Sequence, residues 1–227
     1  MSSRVWLPLG AAVLVLNAVQ WVVNEAITAA AWTDPPYDYA TNYISDLGVP
    51  ECGTRFQGRE ICSPMHSLMN TAFMLEGILF AIGILLLSRL VTGRARRVII
   101  TLALAHGVGM VLVGLFHGSP DGPGPGLALH VGGAGVGILC ANVIAIMAGA
   151  LRSPGLPRAY RAFSIAVGTL GLIGVALVGV STSTAGVLER AGVYSWLLWS
   201  AVTGTLLLGR LVGRYLRRPA AVENVPA

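Results

Sequence analysis

The sequence predicts an all-α fold, a polytopic membrane protein with six transmembrane helices in one bundle. Three observations carry this. The 227 residues are 55% hydrophobic and only 11% charged, with a mean hydropathy of +0.73, where a soluble domain has about 25% charged residues. Six stretches reach the roughly 20 apolar residues that cross about 30 Å of hydrocarbon. All 15 basic residues are Arg, and most of them cluster between those stretches. An ordinary soluble enzyme, a disordered chain and a nucleic-acid binder are excluded by this composition.

The stretches are about 6–31, 64–90, 98–118, 127–151, 162–182 and 193–213. Each must be helical, because lipid offers no partner for an exposed backbone amide. The alternation of a membrane β-barrel is absent, since Gly77 to Leu87 is continuously apolar. The first stretch is too long for a signal-peptide core and carries Asn17, Gln20, Asn24 and Glu25. The chain reads as one membrane domain, 1–216, followed by a polar tail, 217–227, expected to be disordered. Its one substantial loop, about 32–63, is long for a compact bundle, and loops of that length are often functional.

Orientation follows from arginine placement. Arg4, Arg89, Arg94, Arg96, Arg97, Arg152, Arg158, Arg161, Arg210, Arg214, Arg217 and Arg218 fall on one side, against Arg55, Arg59 and Arg190 on the other. Twelve against three puts both termini in the cytoplasm of a cell (plasma) membrane protein. The 32–63 loop is then external. There Cys52 and Cys62 face an oxidising compartment across a short polar stretch, so a disulfide is the natural reading, with two free thiols as the alternative. Cys140, inside the fourth span, reads as a small packing residue.

Ionisable residues within a span are costly and are functional candidates by default. Asn17, Gln20, Asn24 and Thr28 recur along one face of the first span. Glu76 lies deep in the second. His106 and His117 are eleven residues apart, about three turns, and are expected to share a face. His106 reads as a hydrogen-bonded packing residue. His66 opens span two, His117 closes span three and His130 opens span four, so all three fall at the external boundary with Asp46 and Asp121. Gathered at one mouth, they form a metal or acid–base site; the alternative is that each simply caps a helix end. The glycines after His130 read as close-packing positions.

The pieces NYISDLG, LMNTAFMLEG, GLFHGSPDG and LHVGGA, in that order across six spans, resemble the domain-of-unknown-function 998 family of bacterial and archaeal integral membrane proteins. The resemblance covers essentially the whole chain. It singles out Ser45, Asp46, Leu47, Gly48, Asn70, Asp121 and His130, and implies architecture and residue choice but no reaction. Phe116-His117 departs from the Phe-Pro pair usual there, and His66 and the cysteine pair also look particular to this chain. More loosely, the combination of Ser, Asp and three His resembles the zinc site of seven-span membrane hydrolases such as alkaline ceramidases and progestin and adipoQ receptors. The span count differs, and their paired His on the last span is missing.

The expectation is therefore a polar site at the external mouth that takes a lipid or other amphiphile from the outer leaflet. As an enzyme it would perform metal-assisted hydrolysis, with zinc on His66, His117 and His130, Asp46 as base, and Ser45 and Asp121 in the catalytic set. The contrasting class is a small transporter or accessory subunit with Asn17, Asn24, Glu25 and Glu76 along a path. Haem-based electron transfer through His106 and His117 is the third.

Overall fold

The computed structural model describes residues 3–56, 58–118, 124–151, 157–180 and 182–216. Asp121, most of the turn around it and the 217–227 tail lie outside them. The helices are α1 (Ser3–Ala31), α2 (His66–Leu87), α3 (Gly93–Leu115), α4 (Pro125–Ala150), α5 (Arg158–Leu177) and α6 (Ala185–Leu216). All six are long and apolar enough to cross a membrane. Each packs on the next, α6 closes the ring on α1, and α4 also touches α6 across it. One end of the bundle carries the 32–63 loop (the loop end), and the other carries most arginines (the arginine end).

Polarity is distributed as a lipid solvent requires. Leu16, Val108, Val131, Leu139, Leu170 and Val212 are more than half exposed, while Asn17, Glu25, Glu76, His106 and Asn142 are buried at 0–1%. In water this surface would be a very large apolar patch; in hydrocarbon it costs nothing. Lipid tails give no hydrophobic drive between helices, so close van der Waals contact must hold the ring. A Cβ on Gly109 of α3 would stand 2.5 Å from the Gly133 carbonyl of α4, and one on Gly133 would stand 2.6 Å from the Gly109 carbonyl. Of the glycines after His130, Gly133 and Gly137 therefore pack, whereas Cβ atoms on Gly132 and Gly135 would meet nothing within 4 Å.

The helix starts that differ most from the sequence expectation are those of α3 and α6. α3 begins at Gly93 rather than near residue 98, because its arginines are good helix formers that sit in the interfacial layer. α6 begins at Ala185 rather than near 193. An apolar window stops short of Glu189 and Arg190, yet both find partners inside the fold. α3 also ends at Leu115, with Phe116 as its cap. His117 thus lies beyond the helix and shares no face with His106.

The long loop folds inward. Ile44, Leu47, Val49 and Ile61 are at most 3% exposed. Ser45–Gly48 forms one 3-10 turn, clasped when Asn70 Nδ2 donates to the Gly48 carbonyl at 2.8 Å and Ser63 Oγ to the Leu47 carbonyl at 2.7 Å. A Cβ on Gly48 would lie 2.3 Å from Asn70 Oδ1, so a side chain there would have to displace the amide that clasps the turn. Strands β1 (Thr54–Phe56) and β2 (Arg59–Ile61) pair as an antiparallel hairpin. Cys52 and Cys62, joined by a disulfide, flank it, and Cys140 is buried and free. Peptide mapping without reductant should find Cys52 and Cys62 in one cross-linked species; alkylation of both under those conditions would contradict the bridge.

Candidate functional site

Asp46 organises the inner surface of the folded loop. Its Oδ2 accepts from the Tyr43 amide at 2.9 Å, from Arg59 Nε at 2.8 Å and from Asn42 Nδ2 at 3.4 Å, while Oδ1 accepts from Arg59 Nη2 at 3.2 Å. Arg59 also lies over the Tyr43 ring, 4.3 Å from its centroid. Buried at 2% exposure, this carboxylate fixes the loop conformation.

A second ion pair ties the loop to the bundle. Arg190 of α6 donates from Nε and Nη2 to Glu25 Oε1 of α1, at 3.2 and 3.0 Å, and from Nη1 to the carbonyls of Tyr39, Asn42 and Gly186. Its Nη2 also donates to the Tyr37 hydroxyl, which in turn donates to the Tyr43 carbonyl at 2.8 Å. Burial pushes the Tyr37 and Tyr43 phenols up, outweighing the lowering by Arg190 and Arg59 respectively, so both keep their protons. Asp38, on the exposed side of the loop, is held below its usual value by the Ala40 amide and the Thr41 hydroxyl. Glu189 Oε2 accepts from the Ile44 amide.

A third cluster lies near mid-membrane. Glu76 is ten residues into α2, about 15 Å from its loop end. Its Oε1 accepts from Asn17 Nδ2 at 3.1 Å and Trp196 Nε1 at 3.0 Å; Oε2 faces His106 Nε2 at 2.8 Å. His106 Nδ1 meets the Gly137 carbonyl at 2.8 Å. A carbonyl only accepts, so Nδ1 carries a proton and a second proton bridges Nε2 and Oε2. Residues from α1, α2, α3, α4 and α6 are thereby locked together. Of the groups offered by the sequence as a transport path, Asn17 and Glu76 meet here with His106, Glu25 pairs with Arg190, and Asn24 donates to Gln20.

A cavity of about 410 Å³ opens at the loop end, within the size range of ligand pockets. Tyr43, Ser45, Asp46, His130 and Glu189 form its polar wall, while Leu127, Val131, Ala134, Val175 and Val178 form an apolar rim. Val131 is 60% exposed, so the rim meets the surrounding lipid. His130 is 5% exposed and donates Nδ1–H to the Phe116 carbonyl at 2.7 Å.

Of the residues singled out in the sequence, Ser45, Asp46 and His130 share this cavity wall. His66 Nδ1 lies 3.1 Å from the Ser63 carbonyl at the start of α2, and His117 Nδ1 lies 3.1 Å from the Gly118 carbonyl. Among the described residues no three His, Cys, Asp or Glu side chains stand close enough to hold one metal ion. The three histidines expected to hold zinc are therefore not gathered around one point in the described geometry. Arg59, Glu189 and Arg190 were missed. Their signal was the exception to the arginine count: a guanidinium on the arginine-poor side invites a search for its carboxylate.

Six lipid-facing helices closed around buried ion pairs, with a loop folded into one mouth, define a multi-pass helical membrane protein. The chain belongs to the family described as protein of unknown function DUF998, whose model matches residues 10–206, from α1 into α6. No curated protein and no solved structure matches it.

Proposed function

We propose that this is a cell-membrane protein, with both termini cytoplasmic, that binds a lipid or other amphiphile from the outer leaflet in the loop-end cavity. The observation that carries the reading is the two-sided lining: polar groups against the folded loop, and an apolar rim open to lipid between α4 and α5. An amphiphile has the same division, with a head for the wall and a tail that stays in hydrocarbon. Hydrolysis is the finer form of this reading. Ser45 and His130 would flank the bond.

The test is native mass spectrometry of the full chain released from mild detergent, compared with Gly135→Trp. Gly135 lines the cavity, and a side chain there meets nothing within 4 Å, so tryptophan should occupy the mouth without disturbing the ring. Co-purified amphiphile is expected on the parent chain and should fall at least about tenfold in the variant, as for loss of one well-packed aromatic-sized contact. Equal retention by both would refute the site.

A further inference from the structure

We propose that the head taken by this cavity is a primary ammonium, carried by an amino-bearing amphiphile; the inference rests on the amphiphile reading above. The polar wall presents open acceptors. His130 commits Nδ1–H to the Phe116 carbonyl, so in the neutral ring Nε2 carries the lone pair. Glu189 spends Oε2 on the Ile44 amide, and its Oε1 receives no donor among the described residues. Ser45 Oγ makes no hydrogen bond within that set. All three side chains line the cavity.

The nearby cations are already engaged. Arg59 is paired with Asp46 and Arg190 with Glu25, and the described lining residues include no Arg. The chain has no Lys. A head that is only anionic would face a carboxylate and an imidazole lone pair with no counter-charge. A quaternary ammonium would bring charge but no N–H. A primary ammonium has three N–H donors for these acceptors, its charge beside Glu189 favours the ionised carboxylate, and charge-assisted hydrogen bonds are about twice as strong as neutral ones. The tail leaves over Leu127, Val131 and Val178, on the side the rim already opens to lipid.

The experiment titrates the purified full chain with short-chain phospholipids of identical tails bearing ethanolamine, choline or glycerol heads, and with decylamine as an ammonium without phosphate. Bound mass is read by native mass spectrometry. Ethanolamine lipid and decylamine should each bind about tenfold or more tightly than the choline lipid, with the glycerol lipid weakest. Glu189→Gln, which keeps an oxygen for the Ile44 amide, should flatten that ranking; the wild-type ranking itself needs no variant. Equal or preferred binding of choline or glycerol lipid, still abolished by Gly135→Trp, would overturn the ammonium inference and leave the cavity reading standing. Binding of the probes that Gly135→Trp leaves unchanged would overturn the cavity reading itself.

Discussion

Arg190→Met is expected to destabilise the protein by about 3–5 kcal/mol, the usual cost of leaving a buried charge without its partner. Arg190 is 8% exposed and Glu25 1%. Its loss strands the Glu25 carboxylate and removes the donors for the Tyr39 and Asn42 carbonyls and the Tyr37 hydroxyl. Two effects should appear together: a large fall in the unfolding midpoint in detergent, and protease sensitivity confined at first to residues 32–63. The double variant Glu25→Leu with Arg190→Met should recover part of the bundle stability, because removing both charges costs less than removing one. Protease sensitivity of the loop should persist in it. Full additivity of the two single changes would mean that the pair is not coupled.

Glu76→Leu carries the second large effect, about 2–5 kcal/mol. It removes the acceptor of Asn17 Nδ2, Trp196 Nε1 and His106 Nε2 together. Each buried donor left unmade costs about 1–3 kcal/mol, although hydrogen bonds between membrane helices average near 0.6 because partners re-pair. Glu76→Gln should be tolerated. Its oxygen still accepts from Asn17 and Trp196, and its NH₂ can donate to a neutral His106 whose Nδ1–H stays on Gly137. Nitrogen-15 NMR of labelled histidine decides between the forms: the His106 Nε2 signal should move toward that of an unprotonated imidazole nitrogen in Glu76→Gln. An unchanged spectrum with full stability in both variants would contradict the bridging proton.

The sequence made the spans legible because lipid imposes a single rule on twenty-residue windows, and the six helices obey it. It also flagged Glu76 and His106 as polar residues out of place. What it could not show is that they meet, since that depends on how α2 and α3 are rotated about their axes, and close contacts such as Gly77 on Gly107 set that rotation. Glu189 and Arg190 shortened the sixth span in the sequence because each reads as a cost to insertion. In the fold, Ile44 and Glu25 offset that cost. Ser45 and Gly48 in one quoted motif and Asn70 in the next prove to be one unit, since the Asn70 amide closes the turn that presents Ser45 to the cavity. His66 and His130 lie in the first turns of α2 and α4, at the loop end, yet a shared end does not bring rings together. Each ring instead satisfies a carbonyl at the nearest helix end.

The central claim is that an amphiphile sits between the folded loop and α4. Photo-cross-linking in nanodiscs tests it most directly, with an amino-headed lipid carrying a diazirine near the head of its tail. The adducts should map to α4 within 127–138 and to Val175 or Val178, and should vanish in Gly135→Trp. Adducts spread evenly around the six helices, or confined to the apolar pocket at the arginine end near Leu90 and Leu206, would contradict it.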